Sequence, residues 1–277
     1  MALLTLRNAG GYCAFDEAEC RAAGATLAQR YRDASPFPHV VIDDFLDLDV
    51  LRAVAGQFPK PAAALPFARS QERLKYQFHP QVCTGLATRN LFAELNSQAF
   101  LAFLSEMTGI GGLVADPYYA GAGLHETRAG GHLGIHADFN RHETMNLERR
   151  LNLLVYLNED WEEAFGGALE LWDRGMTACQ VKVLPAMARA VVFATDLDSF
   201  HGHPDPLACP PDRTRRSIAT YYYHTPADTR FAVDRTTNFR ARPHSGDRRD
   251  WKVIFHHWAQ DWVPPALRRG GRAGSAR

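Results

Sequence analysis

The sequence predicts an α+β protein, with helices in the first third covering one face of an antiparallel sandwich or barrel made by the rest. Up to Met107 the apolar residues recur at helical spacing between recognisable caps. From Leu113 onward, short runs rich in β-branched and aromatic residues are bounded by Gly, Pro and Asp, the spacing of an antiparallel sandwich or barrel. No internal repeat or low-complexity segment interrupts this order.

The elements follow in turn. Asp16 to Arg32 is rich in Ala and charge, with Asp16 as its N-cap. HVVID (His39 to Asp43) reads as a short strand. Asp47 caps LDVLRAVAGQF, which Pro59 ends. Residues 59–80 have little periodicity and are expected to form a loop. Asn90 to Met107 holds LFAEL and AFLAFLSEM, apolar at i, i+3 and i+4, with Ser97 as an internal cap and Gly109 as a stop. Strands are expected at GAGLHE, HLGIHAD, LNLLVYLN, ALELWD, CQVKVLP, RAVVFAT and SIATYYYH. The sequence therefore divides into a mainly helical support region (1–112), a strand-rich core of the same domain (113–230) and a C-terminal extension (231–277).

Composition bounds the function. The 277 residues are 46% hydrophobic and 22% charged, ordinary for a globular protein, and 31 basic residues balance 31 acidic ones. No excess charge points to nucleic acid or an anionic membrane. The exceptions are an Arg-rich stretch from Arg235 to Arg249 and the ALRRGGRAGSAR tail, read as a solvated loop and a disordered end. Five scattered cysteines without a Cys-x-x-Cys pair argue against a zinc site or disulfide framework. No apolar run reaches transmembrane length, and the apolar part of MALLTLRNAGG is too short for a secretory signal. A cytoplasmic location is expected.

The chemistry is carried by His136 and Asp138 in GIHADFN and by His201 in SFHGHP. Ligands two apart on an extended strand project to one side. With a third ligand from another strand they can occupy one face of an octahedral metal, leaving the other face open: the 2-His-1-carboxylate arrangement of non-haem Fe(II) oxygenases. Asp138 supplies a carboxylate, which disfavours a halogenase. His203 rivals His201, two residues on. Both imidazoles must be neutral and fixed in tautomer to bind metal. Arg215 lies 14 positions beyond His201 and opens a run in which Arg215, Ser217, Ala219, Tyr221 and Tyr223 share one face. An Arg followed two residues later by a hydroxyl can hold a dicarboxylate.

These segments, with RRLNLLVYLNEDW, GGALELW and PAMARAVVFATD, resemble the Fe(II)/2-oxoglutarate-dependent dioxygenases of the prolyl-4-hydroxylase-like branch from about Tyr119 to Tyr223. The resemblance implies a double-stranded β-helix, or jelly roll. It implies His136, Asp138 and His201 as iron ligands, O₂ as oxidant, and Arg215 and Tyr156 as partners of the C5 carboxylate of 2-oxoglutarate. Ser217, in an Arg-x-Ser pattern, is a further partner. The link PDPLACPPD between His201 and Arg215 is longer than the family pattern.

Alternation puts Asn152 in phase with Tyr156, within reach of cosubstrate or substrate. His125 and Glu126 are candidates for lining the pocket. The expected substrate is a small molecule, such as an amino acid or natural-product intermediate; a prolyl residue of a protein and a non-catalytic jelly-roll binder are the alternatives. The expected rim is 59–80, 142–149 and 235–249, with Arg69, Arg73, Lys75, Arg141 and Arg149 as donors to an acidic substrate.

Overall fold

The computed structural model describes residues 1–60, 67–225 and 235–262. Helix α1 (Glu17–Arg32) starts where Asp16 accepts a hydrogen bond from the Glu19 amide at 2.9 Å. Glu17 and Glu19 in its first turn and Arg30 and Arg32 in its last complement the helix dipole. Gly24 lets α1 press onto α4 (Gln98–Thr108), since a Cβ there would stand 2.3 Å from the Phe103 carbonyl. Between them in sequence lie α2 (Leu48–Gly56) and α3 (Leu86–Leu95). Asp47 occupies the N-cap position of α2 without a side-chain cap bond. Ser97 caps α4, and Gly109 ends it in the left-handed region at φ +74°.

A small ladder joins β1 (Arg7–Asn8) to β2 (Cys13–Ala14). The remaining strands are β3 (His39–Ile42), β4 (Phe67–Arg69), β5 (Glu72–Phe78), β6 (Val114–Ala115), β7 (Gly123–Ala137), β8 (Glu148–Tyr156), β9 (Leu169–Trp172), β10 (Cys179–Val183), β11 (Ala190–Ala194), β12 (His201–His203), β13 (Thr214–His224) and β14 (Asn238–Phe239). The expected segments GAGLHE and HLGIHAD are thus one long strand, β7, and it organises the fold. Its first half pairs with β5 and β13, and its second half with β12 and β14. One sheet runs β5-β7-β13-β8-β11-β3, the other β14-β7-β12-β9-β10, all antiparallel. The crossing falls at Gly130–Gly131, where a Cβ on Gly131 would meet the carbonyls of Arg128 and Arg73 at 2.8 Å. The result is the jelly roll.

The core lies between the first sheet and the helices. Leu151, Leu153 and Val155 of β8 face Phe45, Leu51, Phe100 and Phe103. Burying each of them yields roughly 1.5–3 kcal/mol of transfer free energy. The alternate residues Asn152, Leu154 and Tyr156 face the other way, into the space between the sheets.

Two expectations change. Residues 59–80 are not a loop throughout: β4 and β5 form a hairpin that extends the sheet along β7. Leu74, at φ +50°, bulges the strand between Arg73 and Lys75 and breaks its two-residue alternation, so the pattern is hidden in the sequence. The stretch from Arg235 is not simply solvated, because β14 pairs with His136 and Ala137 and is followed by α5 (Trp251–Trp262). The ALRRGGRAGSAR tail lies outside the described residues. Among the described residues no helix is long and apolar enough to cross a membrane.

Candidate active site

His136 near the end of β7 and His201 at the start of β12 are direct register partners, so both rings enter one cavity with centroids 4.5 Å apart. Each Nδ1 faces a backbone carbonyl two residues earlier: Gly134 O at 2.9 Å for His136 and Ser199 O at 3.0 Å for His201. A carbonyl accepts only, so both Nδ1 atoms carry the proton and both Nε2 lone pairs are free. Those Nε2 atoms lie 3.6 and 3.4 Å from the carboxylate of Asp138. The three ligand atoms fall within 4.8 Å of one another. Two imidazole nitrogens and one carboxylate, oriented from behind, fit a ferrous ion. Burial, with His136 alongside, pushes His201 down to about 4, which keeps its ring available as a neutral ligand. His203 lines the same cavity but is outside this cluster, and its buried Nδ1 has no hydrogen-bond partner.

Behind Asp138 stands a buried brace. Arg149, 2% exposed, places Nη2 3.0 Å from Asp138 Oδ2, an ion pair whose alignment falls outside hydrogen-bond geometry. Its Nε donates to Asn152 Oδ1 at 2.8 Å, and Asn152 Nδ2 donates to Asp138 Oδ2, also at 2.8 Å. The guanidinium lies over the rings of Tyr221 and Phe139. Burial alone would raise the pKa of Asp138, but Arg149, then His201 and His136, hold it well below the usual carboxylate range. Sequence reading put Arg149 on the substrate rim and Asn152 toward the cosubstrate. The structure places Arg149 behind Asp138 of the His–Asp–His cluster and commits the Asn152 amide to the same carboxylate. Simple alternation would have put Arg150 in phase with Asn152. A bulge in β8 opposite Tyr222 and Tyr223 substitutes Arg149.

The other end of the cavity holds Arg215 on β13, 5% exposed. Its Nε donates to the Gly167 carbonyl at 2.7 Å, and Nη2 lies 3.4 Å from the Tyr156 hydroxyl. Among the described residues no carboxylate pairs with it. Burial pulls its pKa below the usual value, opposed by Tyr156. Gly167, at φ +72°, is required here: a Cβ would meet Leu207 at 2.5 Å and Arg215 Cδ at 3.0 Å. Ser217 lines the cavity in register with Tyr156 on one side and His125 on the other. His125 also lines it, whereas Glu126, itself buried, accepts from Arg216 and Thr214 away from the cavity. Burial, then Lys75, holds His125 well below its usual pKa. His203 is shifted the same way by burial, then by Arg215 and Lys75.

The cavity measures about 250 Å³. From the hairpin, Arg69, Glu72, Lys75 and Gln77 reach it, while Arg73 points away to solvent. Thr237 and Phe239 come from the C-terminal stretch, with the Phe239 ring 5.3 Å from His136. His142 is buried against Asp116 and Tyr223, not set on the rim. Neither Thr237 nor Phe239 stands out in sequence, since β14 is two residues long and distant from the motif.

Residues 122–224, which carry both histidines, Asp138 and Arg215, match the family described as the 2OG-Fe(II) oxygenase superfamily. These residues therefore form a 2OG-Fe(II) oxygenase domain, and the fold is that of prolyl hydroxylases. The protein is a 2-oxoglutarate-dependent dioxygenase, with Fe(II), 2-oxoglutarate and O₂ as cofactor and cosubstrates. Among solved structures it is similar to a Trichoplax adhaerens prolyl hydroxylase in complex with a hypoxia inducible factor peptide fragment, at 16% identity and TM-score 0.56; the match covers 74% of the present sequence and 91% of that protein. A Pseudomonas putida prolyl-4-hydroxylase matches at 19% identity and TM-score 0.51, covering 73% and 99%. A Phytophthora capsici prolyl 4-hydroxylase matches at 18% identity and TM-score 0.54, covering 88% and 76%. No curated protein sequence matches this one.

Proposed function

We propose that the enzyme hydroxylates a small molecule, such as an amino acid or a natural-product intermediate, with His136, Asp138 and His201 holding Fe(II). Arg215, Tyr156 and Ser217 hold the far carboxylate of 2-oxoglutarate in this reading. Iron bound there couples oxidative decarboxylation of 2-oxoglutarate, to succinate and CO₂, with transfer of one oxygen atom to a substrate C–H bond. The protein's own contribution is positional. Gly134 and Ser199 orient the imidazoles. Asn152 and Arg149 fix the carboxylate. The Tyr156 hydroxyl is set to add a hydrogen bond to whatever anion Arg215 binds.

The observation that carries the reading is the buried Arg215 with no carboxylate partner among the described residues, in the same cavity as the His–Asp–His set. A desolvated cation of this kind favours an anionic ligand, and the far carboxylate of a dicarboxylate cosubstrate would supply one. The fold's likeness to prolyl hydroxylases supports a second reading, a prolyl residue in a peptide as substrate. Purified protein incubated with Fe(II), ascorbate and 2-oxoglutarate should release succinate. Mass spectrometry of candidate small molecules and proline-containing peptides then distinguishes the two readings by gain of one oxygen atom. His136→Ala, Asp138→Ala and His201→Ala should each abolish ferrous-ion binding and turnover with the fold retained. Retained iron in His201→Ala beside lost iron in His203→Ala would transfer the ligand role to His203.

A further inference from the structure

The hairpin adds an ion pair to the cavity wall that belongs neither to the His–Asp–His cluster nor to the hydrogen bonds of Arg215. Glu72 and Lys75 of β5 are both buried, at 7% and 9% exposure, and both line the cavity. In a regular strand residues three apart face opposite sides. Here the bulge at Leu74 turns both inward. Lys75 Nζ donates to Glu72 Oε1 at 2.8 Å, and neither head group has another hydrogen-bond or ion-pair partner among the described residues. That leaves ammonium hydrogens and a carboxylate oxygen unused on the wall of the pocket. A buried ion pair is a poor source of stability alone, because desolvation offsets its attraction.

Lys75 and Arg215 both lie opposite Thr127 of β7, on its two sides, and Glu72 lies farther along the strand, opposite Leu133. Arg215 has no carboxylate partner among the described residues and suits an anion, whereas Lys75 is already paired with Glu72. The Glu72–Lys75 pair sums to zero and offers one donor group and one acceptor group side by side. A monoanion would leave Glu72 facing it with like charge, and a monocation would do the same at Lys75. A zwitterion satisfies both. Register puts Glu72 opposite Leu133, three residues before His136 on β7, or roughly 10 Å from it along the strand. The side group of an amino acid, reaching from the pair toward the triad, would run past Leu133, Phe139 and Phe239, all cavity-lining and apolar.

Resting on the oxygenase reading above, we infer that the primary substrate is a free α-amino acid whose ammonium is recognised by Glu72 and whose carboxylate is recognised by Lys75, with Arg69 at the cavity edge adding a second cation. The reaction balances as amino acid plus 2-oxoglutarate plus O₂ giving hydroxyamino acid, succinate and CO₂, with oxidation of the side-group C–H bond. A residue inside a peptide presents neither charged group and does not meet this site.

The test is a panel of the proteinogenic L-amino acids, each as the free acid, the N-acetyl acid and the carboxamide, offered with 2-oxoglutarate to the intact iron-loaded protein. Succinate release and gain of one oxygen atom on the added compound are the readouts. At least one free amino acid should stimulate succinate release and be hydroxylated, with both capped forms less effective by a factor on the order of thirty, the size expected when one partner of a desolvated charge pair is lost. Glu72→Gln should narrow that gap for the N-acetyl acid, and Lys75→Met should narrow it for the carboxamide. These opposite changes would not follow from a general loss of structure. If either variant fails to fold, the wild-type panel decides. Capped forms or peptides that work as well as the free acid overturn the inference. So does 2-oxoglutarate turnover that no free amino acid stimulates. Absence of both 2-oxoglutarate binding and succinate release under every condition would instead overturn the underlying assignment of the site, and this inference with it.

Discussion

Two buried arginines face the same cavity and are treated in opposite ways. Arg149 is compensated: Asp138 faces it, Asn152 caps its Nε, and Tyr221 and Phe139 cover its planes. Arg215 has a carbonyl, a phenol and no anion among the described residues. The first supports the His–Asp–His cluster, because its charge holds Asp138 ionised and in place. The second leaves its part of the cavity with a buried charge that no carboxylate among the described residues offsets. A buried ionic group therefore says little by itself about stability or function. What decides is whether the protein already supplies its partner.

The comparison breaks most sharply at Arg149. Arg149→Met removes one side of a buried pair and strands the Asp138 carboxylate, a loss of roughly 3–5 kcal/mol. Metal-free protein should melt markedly lower in a thermal scan, and added Fe(II) or Mn(II) should recover much of the loss by supplying a positive charge on the other side of Asp138. Asn152→Ala, which frees the same carboxylate oxygen, should weaken metal affinity by about 10- to 100-fold. If neither variant changes metal-free stability or metal affinity, the brace has no energetic role.

Arg215 should behave differently. Arg215→Ala should raise the dissociation constant for 2-oxoglutarate by a factor on the order of thirty or more, since one partner of a desolvated ion pair costs roughly 2–5 kcal/mol. The volume-conserving Arg215→Met should leave ligand-free stability unchanged or higher, because it removes a buried charge that nothing compensates. Anaerobic titration calorimetry with Mn(II) in place of iron measures the first, and urea unfolding the second. Unaltered 2-oxoglutarate affinity would place the cosubstrate carboxylate elsewhere.

Much of this arrangement is legible in the sequence. Asp16, Ser97 and Gly109 mark helix ends because capping is local chemistry, and all three act where expected. The His–Asp–His cluster is legible because a strand makes two residues two apart neighbours, and Arg215 because β13 alternates regularly as far as Ser217. Reading fails where alternation is broken. The bulge at Leu74 hides β5 and turns Lys75 and Glu72 to the same side. The bulge in β8 exchanges Arg149 for Arg150. The contribution of Phe239 depends on a pairing between β14 and β7, far apart in sequence, and no local pattern announces it. Bulges and long-range pairings are the places where tertiary structure, not local periodicity, sets the direction of each residue.

The smallest effect tests whether both ends of the cavity share one property, the burial of neutral imidazoles. Burial holds His201 at about 4 and keeps His125 and His203 well below their usual value. In the unfolded state these rings titrate near about 6.5. Between that value and about 4 the unfolded state binds more protons than the folded one, so stability rises with pH across the window. The penalty is absent above about 6.5 and grows as pH falls, by about 1.4 kcal/mol per pH unit for each ring. Asp138 has the same sign but a lower window: its contribution is present above the ordinary carboxylate value and is lost only as pH falls through its own depressed one. Urea unfolding of metal-free protein, followed from about pH 6.5 down to about 4.5, should therefore show a steep decline, and His203→Gln should reduce the slope by about one proton. An equal slope in wild type and variant would mean that His203 takes up its proton in the folded protein, adding a further cation beside Arg215 and Lys75.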